Sequence, residues 1–212
     1  MSAAGSSQSM LGEYLSLFAS TEIFIFVFME IVTRIETIQR VIFKKAQTRD
    51  YIIFTLIFGL FSIFGTYIGI PVSHDAISNI RDLGPMVAGL VGGPYIGLAA
   101  GSIGGIHRLF LGGKPALACA LATMLAGLLA GMVYRYKKGE LIGIIPAMIF
   151  AAAIEGLHGT LALLLISPFT EAVEIVVAAI PAMVIANSLG LGISVIVIHS
   201  VKEFSRVSGP EE

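Results

Sequence analysis

Two arginines carry the first chemical question in this sequence. Arg81, in NIRDLG (79–84), precedes a long apolar stretch, and Arg108, in GIHRLFLGG (105–113), follows it. Across residues 83–133 the only Asp, Glu, Lys, Arg or His side chains are His107, Arg108 and Lys114. An arginine inside a membrane segment costs about 2.5–3.5 kcal/mol on insertion scales, so it must face protein, water or a partner. Its planar donors match the two oxygens of a carboxylate, and two such forks brought together could grip one small anion. On a straight helix Arg81 and Arg108 would stand ~40 Å apart, so this chemistry requires the chain to double back between them. The plainer alternative is that each arginine snorkels to a headgroup or pairs with a neighbour such as Asp82.

Other polar residues are weaker candidates. Glu155 and His158, in EGLH, share a helical face at i and i+3 and match half of a carboxylate di-metal site. A second such pair is absent, so a hydrogen bond within or between helices is expected, and no metal. His74, His107 and His199 are scattered, with no spacing that links them. Glu30 and Arg34 are four apart and should pair with each other. Asn187 should anchor an interhelical hydrogen bond. Cys119 by itself reads as a small buried hydrophobe. No nucleophile–base arrangement, phosphate loop or need for a cofactor is visible.

Composition decides what must position these groups. Of 212 residues, 56% are hydrophobic and 13% charged, and the mean hydropathy is +0.92. A soluble domain carries about 25% charged residues, so this is an integral membrane protein. The net charge of −1, without any basic block, excludes a nucleic-acid partner. The single cysteine excludes an internal disulfide and a multi-cysteine metal site. The opening MSAAGSSQSM has no positive n-region and no apolar core, so residues 1–12 read as a flexible tail, as do residues 205–212.

Six hydrophobic segments, at about 14–33, 51–70, 83–106, 116–133, 141–166 and 174–200, approach the ~20 residues a spanning helix needs. The expected fold is an all-α integral membrane protein, a compact bundle of six helical segments with five or six full crossings. Basic clusters in 33–50, in RYKK (135–138) and in the tail with Lys202 and Arg206 mark one side as internal. PVSHDAISN (71–79) and SPFTEAVE (167–174) mark the other side as external. Six simple crossings cannot satisfy this charge pattern, so one segment must return to the side it entered from.

Segment 83–106 is the expected re-entrant one. Gly92, Gly93 and Pro94 interrupt it, and a proline breaks the helical hydrogen-bond ladder. Such breaks mark binding sites in transport proteins. Gly89, Gly93, Gly97, Gly101 and Gly105 recur every four residues, which a continuous helix packed through a small-residue stripe would also show. The stretch 33–50 allows two readings as well: a helix lying on an anionic surface, or an extension of the first helix.

NIRDLG, GLVGGPYIGL, GIHRLFLGG, ALACALATMLAG (116–127) and IPAMVIANSLG (180–190), in this order and spacing, resemble the LytS-type transmembrane receptor domain. The resemblance covers about residues 14–200 and implies a sensor domain over 13–204. It implies a membrane sensor of two-component histidine kinases, several of which look like receptors for small 2-oxo acids, pyruvate above all. Others are tied to autolysis and cell-wall turnover. The family's pyruvate-linked arginines match Arg81 and Arg108, and its cysteine matches Cys119. A serine that members can carry three residues after that cysteine is Ala122 here, with Thr123 beside it.

The implied ligand-binding set is therefore Arg81, Arg108, Cys119, Thr123 and His107. Gly92, Gly93, Pro94, Gly97, Gly101 and Asn187 are expected to act in packing or as hinges. The implied partners are a small organic acid, the lipid bilayer, a cytoplasmic kinase or other output domain in cis or in trans, and a second copy in a homodimer. The implied location is the cell membrane, with a cytoplasmic C-terminus. The chain is then a sensor module rather than an enzyme. The alternative is a small-solute transporter or the substrate-binding subunit of an uptake system.

Overall fold

The computed structural model describes residues 2–72, 74 and 76–207. Eight helices and one short hairpin follow in order: α1 (Ser2–Val32), α2 (Glu36–Ile42), α3 (Thr48–Tyr67), β1 (Ile70–Pro71), β2 (Ile77–Ser78), α4 (Leu83–Gly92), α5 (Pro94–Leu111), α6 (Ala116–Tyr136), α7 (Ile144–Leu165) and α8 (Phe169–Val207). Residues 2–12, expected as a tail, form the first turns of α1, and residues 205–207 continue α8. The remaining tail positions, 1 and 208–212, lie outside the described residues.

Among the described residues, four helices, α3, α6, α7 and the Phe169–Arg206 stretch of α8, are long and apolar enough to cross a membrane. Their outward faces carry large apolar side chains such as Ile52, Leu60, Ile149, Leu164 and Val177. That surface suits lipid rather than water, where contiguous apolar patches are rare. The buried face of α6 is built differently, largely from alanine and glycine, because helix association in lipid depends on close backbone approach, whereas α3 buries Phe54, Phe58 and Phe61.

The third apolar segment is broken where Gly-Gly-Pro falls. Gly93 takes φ +91°, a conformation that glycine adopts freely, and Pro94 opens α5 at a position where its missing N–H costs nothing. The chain then runs back along α4. On α6, Gly131 meets Pro94, Gly127 meets Gly97, Thr123 meets Gly101 and Ala120 meets Gly105. The numbers fall on α6 as they rise on α5, so these two helices are antiparallel. A Cβ added at Gly97 would overlap the Gly127 carbonyl and lie 2.7 Å from the Cα of Gly89. The glycine stripe and the break are therefore both real: the stripe lets α4, α5 and α6 meet backbone to backbone.

With α4 and α5 folded as a hairpin, the basic clusters collect at one end, as the charge pattern requires. Ile42, Lys44, Leu90, Tyr134, Gly139 and Lys202 line one small cavity there. At the opposite end Tyr67 meets His107, Lys114 pairs with Glu171, and His74 Nε2 lies 2.7 Å from Glu174 Oε2.

The basic stretch after α1 is a separate short helix. Ile38, Val41 and Ile42 of α2 are buried against the protein. Arg40 holds Asp50 at the start of α3 through Nε–Oδ2 at 3.0 Å and Nη2–Oδ1 at 2.6 Å. Asp50 also accepts the Gln47 backbone N–H at 2.9 Å, closing a capping box. Glu30 and Arg34 pair at 3.0 Å.

The segment between α3 and α4 does not stay outside as a plain loop. Its β1–β2 pair is antiparallel, with Ile70 opposite Ser78, and the second half turns inward along α8. Ser78 Oγ donates to the Ala179 carbonyl at 3.3 Å, and Asn187 Nδ2 donates to the Asn79 carbonyl at 3.1 Å. The extended chain thus reaches the interior before α4 begins. This is necessary because α4, with 10 residues, is only ~15 Å long against a ~30 Å hydrocarbon core.

Candidate functional site

Arg81 and Asp82 form the turn between this inward-running segment and α4, and both are fully buried. The backbone of Arg81 is pinned on both sides: its N–H donates to Asn79 Oδ1 at 2.9 Å, and its carbonyl accepts the Ser62 hydroxyl at 2.8 Å. Arg81 Nε donates to Thr123 Oγ1 at 2.9 Å. The single Thr123 hydroxyl proton has two acceptors, Asp82 Oδ1 at 2.5 Å and the Cys119 carbonyl at 2.9 Å. Although Asp82 stands at the N-cap of α4, it makes no capping bond to that helix. Its carboxylate serves the cluster instead.

Two turns of two helices complete the arrangement. On α6, Cys119 and Thr123 are four apart and face inward. On α7, Glu155 and His158 are three apart and are buried. His158 Nδ1 lies 3.1 Å from Asp82 Oδ2 and 3.5 Å from Glu155 Oε2, while Nε2 lies 3.3 Å from Cys119 Sγ. Charges taken out of water need such partners: Arg81 stands 3.9 Å from Asp82, whereas both Glu155 oxygens are buried without a hydrogen-bond donor. Asp82, Glu155 and His158 also offer donor atoms within 4.8 Å of one another, a grouping that could hold a metal ion.

Two expectations are corrected here. A nucleophile–base arrangement is present: Cys119, His158 and Asp82 form a thiol, imidazole and carboxylate in series. It was hidden because its members come from α6, α7 and the turn before α4, with no shared sequence spacing. Nor is Asp82 simply an ion-pair neighbour of Arg81, whose Nε is 3.9 Å from Oδ1; Thr123 bridges them. The signal available in the sequence was the presence of Asp82, Glu155 and His158 within or beside apolar segments, where ionisable groups are functional candidates by default.

Arg108 is buried on α5, and its Nη1 donates to the Gly112 carbonyl that closes the same helix. Gly105, three residues before Arg108, meets Ala120 on α6, and Arg81 bonds Thr123 one turn further along α6, so the hairpin returns α5 to the helix that Arg81 contacts. Arg81 Nη1 and Nη2 and Arg108 Nη2 are buried without a hydrogen-bond acceptor. His107 Nδ1 is also without a partner, while Nε2 lies 3.1 Å from the Tyr67 hydroxyl. Gly97 and Gly101 are buried in the α5–α6 contact. Asn187 fastens α8 to the Asn79 carbonyl, two residues before Arg81. A cavity of about 20 Å³ lies beside Cys119 and His158, walled by Ala76, Pro115, Ala162 and Ala179.

A broken, hairpin-forming segment flanked by buried, partly unpartnered arginines marks an integral membrane protein with a candidate ligand site. A family model described as 5TMR of 5TMR-LYT matches residues 35–201, and the chain belongs to that family, as a LytS-type transmembrane sensor domain. It is 32% identical over 189 residues to "Sensor protein LytS" of Bacillus cereus, covering 81% of this chain and 31% of that protein. It is 34% identical over 163 residues to the protein of the same name from Bacillus subtilis, covering 68% and 27%. Against "Sensor histidine kinase BtsS" of Escherichia coli it is 32% identical over 140 residues, covering 64% and 25%. The chain thus spans only about a third or less of each relative, between 25% and 31% in these three. No solved structure matches it. Membrane sensor signalling is the function these relatives share.

Proposed function

We propose that the chain reads a small carboxylate of the 2-oxo acid class, with pyruvate the first to test, and passes a helix displacement to a cytoplasmic kinase domain. Arg81 and Arg108 hold the carboxylate, Cys119 and Thr123 line the pocket, and His107 borders it. The reading is carried by one observation: the unpartnered Nη1 and Nη2 of Arg81 and Nη2 of Arg108, all buried. A buried ionised donor without an acceptor is costly, and a carboxylate supplies two acceptor oxygens in the geometry a guanidinium fits. The basic end of the bundle is cytoplasmic by the positive-inside rule, so the ligand enters from the opposite, external end. A relative named as a sensor histidine kinase supports a kinase as the output.

Calorimetric titration of the purified protein with pyruvate tests this. Arg108→Ala weakens binding roughly tenfold or more, as expected for the loss of a charge-assisted hydrogen bond. Arg108→Lys does not fully restore it, because the fork is lost. Unchanged affinity in both Arg81→Ala and Arg108→Ala overturns the reading.

A further inference from the structure

We infer that Cys119 is a nucleophile that adds reversibly to the C2 carbonyl of its ligand, so that the bound state is a thiohemiketal. This rests on the 2-oxo acid reading above. A thiol that only fills space needs no base. Here Sγ lies 3.3 Å from His158 Nε2, Nδ1 of the same ring lies 3.1 Å from Asp82 Oδ2, and Thr123 donates to the other carboxylate oxygen at 2.5 Å. A nucleophile touching a base, with the base oriented by a third group, is the arrangement that activates cysteine. A second, independent observation points to a ligand beside it. Arg81 is fully buried, and its Nη1 and Nη2 have no acceptor while its Nε is tied to the same Thr123.

The step balances without any further reactant. In the tautomer with Nδ1 protonated, that N–H donates to Asp82, and Nε2 accepts the thiol proton. The thiolate attacks C2, forming the S–C bond as the carbonyl π bond breaks towards oxygen. The proton held on Nε2 passes to that oxygen, and His158 is neutral again. Reversal of the same transfers releases the acid unchanged. The guanidiniums hold the carboxylate next to C2, and the about 20 Å³ cavity beside Sγ offers apolar space of methyl-group size. The adduct makes the receptor selective for a carbonyl: a 2-hydroxy acid keeps the carboxylate but has no electrophilic carbon.

The experiment follows [2-13C]pyruvate by carbon NMR on the purified protein, with lactate as the comparison ligand in calorimetry. The expected result is a protein-bound resonance in the tetrahedral-carbon region, absent in Cys119→Ala and Cys119→Ser. In Cys119→Ala the affinity falls roughly tenfold more for pyruvate than for lactate. Pyruvate that binds the unaltered protein with its C2 still a ketone overturns the adduct and leaves the carboxylate reading standing. Failure of pyruvate and lactate alike to bind overturns both. The NMR measurement on the unaltered protein decides the matter even if a variant does not fold.

Discussion

The hydroxyl of Thr123 lies 2.5 Å from Oδ1 of Asp82, joining α6 to the turn that precedes α4. The Thr123 Oγ1 itself accepts from Arg81 Nε at 2.9 Å, so one side chain couples a buried cation to a buried anion. Thr123→Val keeps the shape and removes both roles. Leaving a buried polar group unsatisfied costs about 1–3 kcal/mol, and more for a charged one. The expected outcome is a lower melting temperature in detergent and weaker pyruvate binding, with Thr123→Ser recovering most of both. A Thr123→Val protein that melts and binds as the parent does would show that this bridge is dispensable.

The hairpin makes a prediction about size. Gly97→Ala places a methyl group against the Gly127 carbonyl and the Gly89 backbone, neither of which can rotate away. Overpacking of this kind typically costs ~1–3 kcal/mol. Gly156, on α7, has nothing within 4 Å of a built Cβ, and alanine there should gain about 0.8–1 kcal/mol of helix propensity. Thermal unfolding of the two variants should therefore move in opposite directions.

Arg40 and Asp50 should behave as a single unit. Each single alanine substitution is expected to lower the melting temperature, since both ends of a two-pronged contact between α2 and α3 depend on it. The double variant should lose little more than either single one. Simple additivity of the two losses, measured by thermal unfolding, would mean that the residues contribute separately.

Orientation is open to a direct measurement. In a Cys119→Ala background, Lys114→Cys at the end near Glu171 should be labelled by an impermeant maleimide applied outside the cell. Lys138→Cys, in the loop at the basic end, should be protected until the membrane is opened. The reverse pattern would invert the chain and place the receptor end inside.

The apolar segments were legible because long runs without charge have few uses outside a bilayer. The return of the chain was legible too, since Gly93 permits a backbone conformation other residues avoid and Pro94 fixes its own φ and removes a donor, whatever the neighbours. Arg81 and Arg108 stood out through the scarcity of charge around them. The Cys119–His158–Asp82 series did not, because it depends on how α6 and α7 are rotated towards a turn distant in sequence. The inward turn of Ser78 and Asn79 was missed for a related reason. Polar residues between two apolar segments look solvated, and only the facing carbonyl of Ala179 and the amide of Asn187 reveal that their partners are inside.

The 39-residue α8 remains a helix through Pro181 and extends ~58 Å, nearly twice the ~30 Å hydrocarbon thickness. Asn187 clamps it to the Asn79 carbonyl, two residues before Arg81, and about 30 Å of helix continues from there to Val207. A helix of this kind acts as an axle: a turn of a few degrees at Asn187 arrives at Val207 as the same turn. Adding one residue in helical register beyond that point would rotate whatever follows by about 100°, and adding seven would nearly restore its bearing. The angular phase of the junction, more than its length, is then what a downstream helix would inherit from the Asn187 contact.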